Sequence, residues 1–270
     1  MPDPDIVQQV FQGSRPETCG WSNMAISPHI SSNSRPKKVV SSFYGEFPFM
    51  IAVLKRSKDN AKTAWSTDNH KNSGVLINYG VVLTAAHRMT GQNADDLKCR
   101  AGEYDTQTEL EQYAYQERNV QKFVVHEDFF RPSFFNNIAL IFLEKPFDKA
   151  PNVGIACLSP TFPENTGDCY SMGWGKLKQD SADYALILKK VPLPLVEAPV
   201  CQNLGDGGAP LVCSVETNGR DRRFVVVGLV SYSMACGEEG VPGVYTNVPY
   251  LYDWVGNQLD LENINKEYDL

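Results

Sequence analysis

Positive charge is scarce in this chain of 270 residues. Lys and Arg number 25 and Asp and Glu 32, so 25 − 32 gives a net charge of −7. Binding a phosphate backbone needs a clustered surplus of cations, so no nucleic-acid partner is expected. No apolar run is long enough to cross a bilayer, so no membrane partner is expected either. No C-x-x-C spacing occurs, which argues against zinc and thioredoxin-type chemistry; no metal and no cofactor are expected. Asn-x-Ser/Thr is missing, so glycosylation offers no independent sign of export. The opening Met1-Pro2-Asp3-Pro4-Asp5 has neither a basic start nor an apolar stretch, and no signal peptide is visible in it. Helical periodicity is absent until the very end.

What is present begins with seven scattered cysteines. That usage suits an exported protein better than a cytosolic one, so a secreted location is expected. Seven is odd, so at least one thiol is left over or pairs outside the chain. Residues 1–38 read as linker, with the polar run Ser31-Ser32-Asn33-Ser34-Arg35-Pro36-Lys37-Lys38. Cys19 stands alone there, either as a free thiol or as a tether. The linker-like extension is set at residues 1–44, a folded domain at 45–259, and an acidic tail at 260–270.

From Gly45 the texture changes. Phe47–Leu54 is apolar and strand-like. Gly74–Ile77 and Val81–Thr84 flank an Asn78-Tyr79-Gly80 turn and read as a hairpin. β-rich runs follow at 122–126, 138–143, 170–173, 186–195, 211–215 and 224–231, separated by turn signals. The pattern is that of an all-β barrel or sandwich. Past Pro249, Leu251, Trp254, Val255 and Leu259 form one helical stripe.

Residues 205–213 read Gly-Asp-Gly-Gly-Ala-Pro-Leu-Val-Cys. With serine third and glycine fifth, this run would be the G-D-S-G-G-P-L-V-C nucleophile loop of chymotrypsin-type serine proteases, which it resembles. Leu83-Thr84-Ala85-Ala86-His87 resembles that family's T-A-A-H motif. Asn136-Asn137-Ile138-Ala139-Leu140 resembles its N-D-I-A-L motif. Gly173-Trp174-Gly175 and Pro242–Val248 match as well, and the order of the segments is the family's own. The resemblance implies two orthogonally packed six-stranded antiparallel β-barrels with a C-terminal helix. Gly45–Pro48, Ala101–Thr108 and Gly-Asp-Gly-Gly-Ala-Pro are closer still to the arthropod clip-domain, masquerade-like homologues that assist prophenoloxidase activation. Their clip module is absent here, since only Cys19 precedes the barrel.

The resemblance places the general base at His87, its orienting residue at Asn137 and the nucleophile at Gly207. A nucleophile needs a lone pair on an atom that can reach the scissile carbonyl, and glycine has no side-chain atom to offer. A base without a nucleophile beside it has no proton to take. Asn137 offers an amide where a carboxylate is needed, a change worth roughly 10⁴-fold in kcat in the serine-protease triad. Neighbouring Asn136 brings no carboxylate either. Gly205 and Asp206 remain as a remnant of the oxyanion loop, and Ser231, Tyr232 and Ser233 stand where the cleft wall should be.

Further departures point the same way. The family's activation cleavage frees an Ile-Val-Gly-Gly terminus. Here Arg35 is followed by Pro36, and Lys38-Val39-Val40-Ser41-Ser42 lacks both glycines. The two halves of the histidine-loop disulfide are replaced by Arg88 and Asn72. Between Cys201 and Gly205 only three residues remain of a longer stretch that holds two cysteines and one pocket wall. The resemblance implies bridges Cys19–Cys157 and Cys169–Cys213. Cys99, Cys201 and Cys236 are left over, with Cys201–Cys236 an open pairing. A catalytically dead, secreted protein that works by binding a protease, a prophenoloxidase or a microbial surface component is the expectation. Residual hydrolysis and a non-functional product of a damaged transcript stand as its alternatives.

Overall fold

A computed structural model describes residues 19–27, 39–57, 65–66, 68–164, 166–175, 184–193, 207–218, 221–232 and 243–270. Among these residues twelve strands make two six-stranded antiparallel layers. In the first layer β2 (Met50–Lys55), β3 (His70–Asn78), β4 (Val81–Thr84), β5 (Leu97–Ala101), β6 (Gln116–Val125) and β7 (Ala139–Leu143) close into a barrel, in the order β2-β3-β4-β7-β6-β5. The second layer is built from β1 (Val40–Ser41), β8 (Cys169–Gly173), β9 (Lys189–Pro192), β10 (Pro210–Asn218), β11 (Asp221–Tyr232) and β12 (Val244–Asn247). Its order is β1-β9-β8-β10-β11-β12, with β1 and β12 as its edges among the described residues. The double six-stranded, all-β architecture that the resemblance implied is present, with one layer closed.

The apolar runs make strands that are buried on both faces, because each strand faces the barrel interior on one side and neighbouring elements on the other. Val81, Val82, Leu83, Leu140 and Ile141 are all fully buried. Each such side chain contributes about 1.5–3 kcal/mol relative to exposure. The expected hairpin forms with Val75 opposite Leu83 and Leu76 opposite Val82. Asn78 belongs to the strand and not to the turn. Its Oδ1 accepts the Gly80 N–H at 2.9 Å, which closes the turn locally.

Three strands lie outside the expected runs. β1 and β12 are short edges. β5 was hidden by its charges, since Leu97-Lys98-Cys99-Arg100-Ala101 alternates apolar and cationic residues and yet every position is buried. Lys98 Nζ and Arg100 Nη2 meet Glu117 on β6 at 3.0 and 2.8 Å, and Arg100 Nη1 meets Glu103 at 2.7 Å. The Arg100 guanidinium also lies 3.9 Å from the Tyr115 ring centre. Cys99 is a free, buried thiol whose pKa burial pushes up.

Among the described residues two α-helices join the strands. α1 (Ala86–Met89) is a single turn directly after β4, where no helix was expected. α2 (Tyr252–Leu261) follows a 3-10 turn at Pro249–Leu251 and buries Trp254, Val255 and Leu259, the stripe read from the sequence. Trp254 Nε1 donates to Glu127 at 2.8 Å and its ring stacks on His126, so this helix anchors the base of the loop that leads to Asn137. The acidic residues after α2 fold back on the body. Tyr268 is fully buried, and its carbonyl accepts the Leu158 N–H at 2.8 Å.

Cys19 is bonded to Cys157, with Cα atoms 4.9 Å apart, and Cys169 is bonded to Cys213 across β8 and β10. The first bond holds residues 19–27 against β11, where Trp21 bridges Arg223. Gly20 has φ +86, and a Cβ there would strike the Phe224 backbone, so only glycine fits that close approach. Cys201 and Cys236 lie outside the described residues, as do Arg35 through Lys38.

Candidate functional site

His87, Asn137 and Gly207, far apart in the chain, come together at the meeting of the two layers. β4 ends at Thr84, Ala85 stays extended, and α1 then turns His87 inward. Asn137 immediately precedes Ile138 and β7 and is completely buried. Thr246 on β12 donates its hydroxyl to the Asn137 carbonyl at 3.0 Å and fixes that backbone. Gly207 is a turn residue just before β10.

The Asn137 amide is held on both ends. Its Oδ1 accepts the backbone N–H of His87 at 2.9 Å. Its Nδ2 donates to Ser231 Oγ at 2.7 Å and lies 2.9 Å from His87 Nδ1, nearer than Oδ1 at 3.1 Å. Both amide atoms thus lie within reach of Nδ1, so the amide can accept Nδ1–H at Oδ1 or donate to Nδ1 from Nδ2. A carboxylate in this place can only accept, which holds the ring in the tautomer a general base needs; the amide imposes no such choice.

Gly207 is buried beneath two side chains. A Cβ built on it would lie 2.5 Å from His87 Nε2 and 2.9 Å from His87 Cε1, and closer still to Arg88 Nε. Real Cβ atoms essentially never come within 3.0 Å of another atom. The place of a nucleophile side chain is therefore taken by the imidazole edge and the Arg88 side chain. Next to it, Gly208 has φ +87, and a Cβ there would meet the Ser73 carbonyl at 2.5 Å.

The mouth of the site is basic and aromatic. Phe134 packs edge-on against His87 with centroids 5.2 Å apart, from a backbone φ of 54° that a bulky residue rarely adopts. Burial lowers the His87 pKa to about 4; the Asn137 hydrogen bond opposes this, and the charges of Arg88 and Arg131 reinforce it. The ring is thus neutral near pH 7. A depressed folded-state pKa makes the unfolded chain the better proton binder between about pH 4 and the ordinary histidine value near 6.5. The contribution of His87 to stability is accordingly present above pH 6.5 and is lost as the pH falls toward 4. The His87 Hε1 resonance should titrate with a midpoint near 4, and Arg88→Ala should move that midpoint upward. A midpoint above 6 in the native chain would contradict the buried, cation-flanked setting.

The remaining expected site residues are distributed as follows. Ser231 is buried with its hydroxyl on Asn137, and Tyr232 ends β11 opposite Val244. Gly205, Asp206 and Ser233 lie outside the described residues. Asn72, on the strand facing β4, donates to Thr84 Oγ1 at 2.9 Å. In the sequence Arg88 marks only a lost cysteine, and its approach to Gly207 is visible only in the fold. The same holds for Arg131 and Phe134, although the run Phe129-Phe130-Arg131-Pro132-Ser133-Phe134-Phe135 is unusually aromatic for a loop. Among the described residues, no three His, Cys, Asp or Glu form a group that could hold a metal ion, and no helix is long and apolar enough to cross a membrane.

The profile of the trypsin family matches residues 39–255. The chain is similar to phenoloxidase-activating factor 2 of Galleria mellonella, 36% identical over 275 residues that cover 89% of this chain and 88% of that protein. It is also similar to inactive CLIP domain-containing serine protease A3 of Aedes aegypti, 31% identical, covering 81% of this chain and 50% of that protein. Inactive CLIP domain-containing serine protease A28 of Anopheles gambiae is 27% identical, with 84% of this chain and 65% of that protein covered. The chain thus spans half to two thirds of the two mosquito proteins and most of the moth one. With the double six-stranded fold, the His87–Asn137–Gly207 juncture and a family match over most of its length, the chain belongs to the trypsin family.

Proposed function

We propose that this chain is a non-catalytic serine protease homologue that acts by binding protein, as a secreted regulator or cofactor of a melanisation protease cascade. The observation that carries this reading is the packing over Gly207. A position that has merely lost its serine would leave a gap beside the histidine. Here the His87 edge and Arg88 fill that space. Chemistry that needs a nucleophile has none at this site, and no carboxylate holds the histidine as its base. The relatives support the direction of the reading, since one is named a phenoloxidase-activating factor and others are named inactive proteases. The partner classes that suit it are a protease of the cascade, a prophenoloxidase or a microbial surface component. A trypsin-type fold offers a rigid two-layer scaffold with loops at its cleft, and binding can persist there after the chemistry is gone.

The test is reconstitution. Purified chain is added to a prophenoloxidase and the protease that cleaves it, with phenoloxidase activity and hydrolysis of an arginine peptide amide followed together. Phenoloxidase activity should rise severalfold with added chain, while amide hydrolysis stays at the level of the protease alone. Amide hydrolysis that scales with the chain, or no change in phenoloxidase activity at saturating chain, would refute the reading.

A further inference from the structure

Two arginines at the mouth of the site stand apart from the others. Arg56, Arg100, Arg118, Arg222 and Arg223 each reach a carboxylate, at 2.7 to 3.9 Å. Arg88 and Arg131 reach none among the described residues, and both are exposed. Among the described arginines, in a chain of net charge −7 with carboxylates in excess, one without a carboxylate is the exception. Both adjoin the His87 ring: Arg88 Nε lies over Gly207 beside it, and Arg131 stands three residues before Phe134, which packs edge-on against it; both charges also act on that ring. The Arg88 charge also acts on His70, whose Nε2 is buried without a hydrogen-bond partner. Apolar surface adjoins them. Phe130 and Phe135, which bridge each other across the same loop, are 58% and 54% exposed.

We propose that the degenerate cleft is a docking seat for an acidic segment of a partner protein, with one Asp or Glu carboxylate received between Arg88 and Arg131 and a flanking apolar side chain laid on Phe130 and Phe135. The proposal rests on the protein-binding reading above and gives that reading a location. Guanidinium is weakly hydrated and its forked donors match a carboxylate, so it loses little on being covered. Arginine beside exposed aromatic rings is also the composition that concentrates binding energy at interfaces. The overall charge decides between classes of anion. A phosphate polymer or an anionic bilayer would meet the repulsion of the whole acidic surface, whereas one carboxylate on a protein loop meets only the local pair of cations.

The experiment uses the full chain and the peptide acetyl-Gly-Phe-Glu-Phe-Gly-amide, with a Gln analogue as control and the variant Arg88→Gln/Arg131→Gln. The Glu peptide should bind at least about tenfold more tightly than the Gln peptide, weaken with added salt, and raise the His87 titration midpoint as its carboxylate offsets the two cations. The double variant should lose the preference for Glu with its melting temperature unchanged, since both side chains are exposed. Equal affinity for the two peptides, or a preference that survives in the variant, overturns the proposal. So does displacement of the peptide by inorganic phosphate or phosphatidylserine vesicles at lower concentration than by glutamate. In the phenoloxidase reconstitution the two ideas separate. A variant that stimulates like the native chain removes the seat and leaves the cofactor reading standing. A native chain that does not stimulate removes the cofactor reading, and the peptide preference still decides the seat.

Discussion

Gly207→Ser combined with Asn137→Asp should leave the protein inactive on peptide substrates and unreactive toward a serine-directed phosphonate. The two substitutions restore all three side chains of the triad, yet they do not restore its geometry. Asn137→Asp by itself is well accommodated. The carboxylate can accept the backbone N–H of His87 and the Ser231 hydroxyl, and because it can only accept it holds Nδ1 in the donor role. Position 207 is the obstacle. A serine Cβ would arrive 2.5 Å from His87 Nε2, about half an ångström inside the closest approach that real structures show, and closer still to Arg88. The imidazole, fixed by Asn137 on one edge and Phe134 on another, has to give way. Such overpacking costs about 1–3 kcal/mol of stability. Displacement of the reacting groups by 1 Å costs on the order of 10² in rate. The expected rate is therefore at least on the order of 10²-fold below that of an active trypsin-like enzyme. Phosphonate labelling at position 207, at a rate comparable with such an enzyme, would show that the filled space over Gly207 opens readily and that two side chains were all the site lacked.

Glu117→Ala should be the most destabilising single substitution outside the apolar core. One carboxylate serves two cations, accepting from Lys98 Nζ on one oxygen and from Arg100 Nε and Nη2 on the other. Lys98 and Arg100 side chains are each only 3% exposed. Removing Glu117 takes from both buried cations the carboxylate they share on β6. Breaking a buried pair costs about 3–5 kcal/mol, because a buried charge loses its compensating carboxylate. In a domain of this size that is a fall in Tm on the order of 10 °C. Thermal unfolding followed by circular dichroism measures it directly. A change under about 1 kcal/mol would mean that water reaches the inner faces of β5 and β6 and that the cluster is a surface feature.

Much of this molecule was legible one residue at a time. Chemistry that depends on a single atom can be read from a single letter: Gly207 has no nucleophile, and Asn137 has no carboxylate. Apolar runs such as Val81–Leu83 and Ala139–Leu143 announce buried strands, because burial of that much apolar surface has few other solutions. Leu251, Trp254, Val255 and Leu259 set one face of the last helix by spacing alone. β5 could not be read this way. Lys98 and Arg100 look like surface residues, and carboxylates brought from positions 103 and 117 meet them inside.

The same division runs through the site. The sequence alone established that the nucleophile is missing, that its loop and the histidine segment are kept, and that the chain as a whole is acidic. Tertiary structure decided what became of the vacated space. Whether a lost side chain leaves a gap, a water site or a filled contact depends on neighbours from distant parts of the chain. Here these are the His87 ring on α1, the Arg88 side chain beside it, and Phe134 from a loop nearly fifty residues further on. Their meeting over Gly207 is a matter of packing, set by barrel closure and by the turn of α1, and pairwise distances between remote residues are not written in any local pattern.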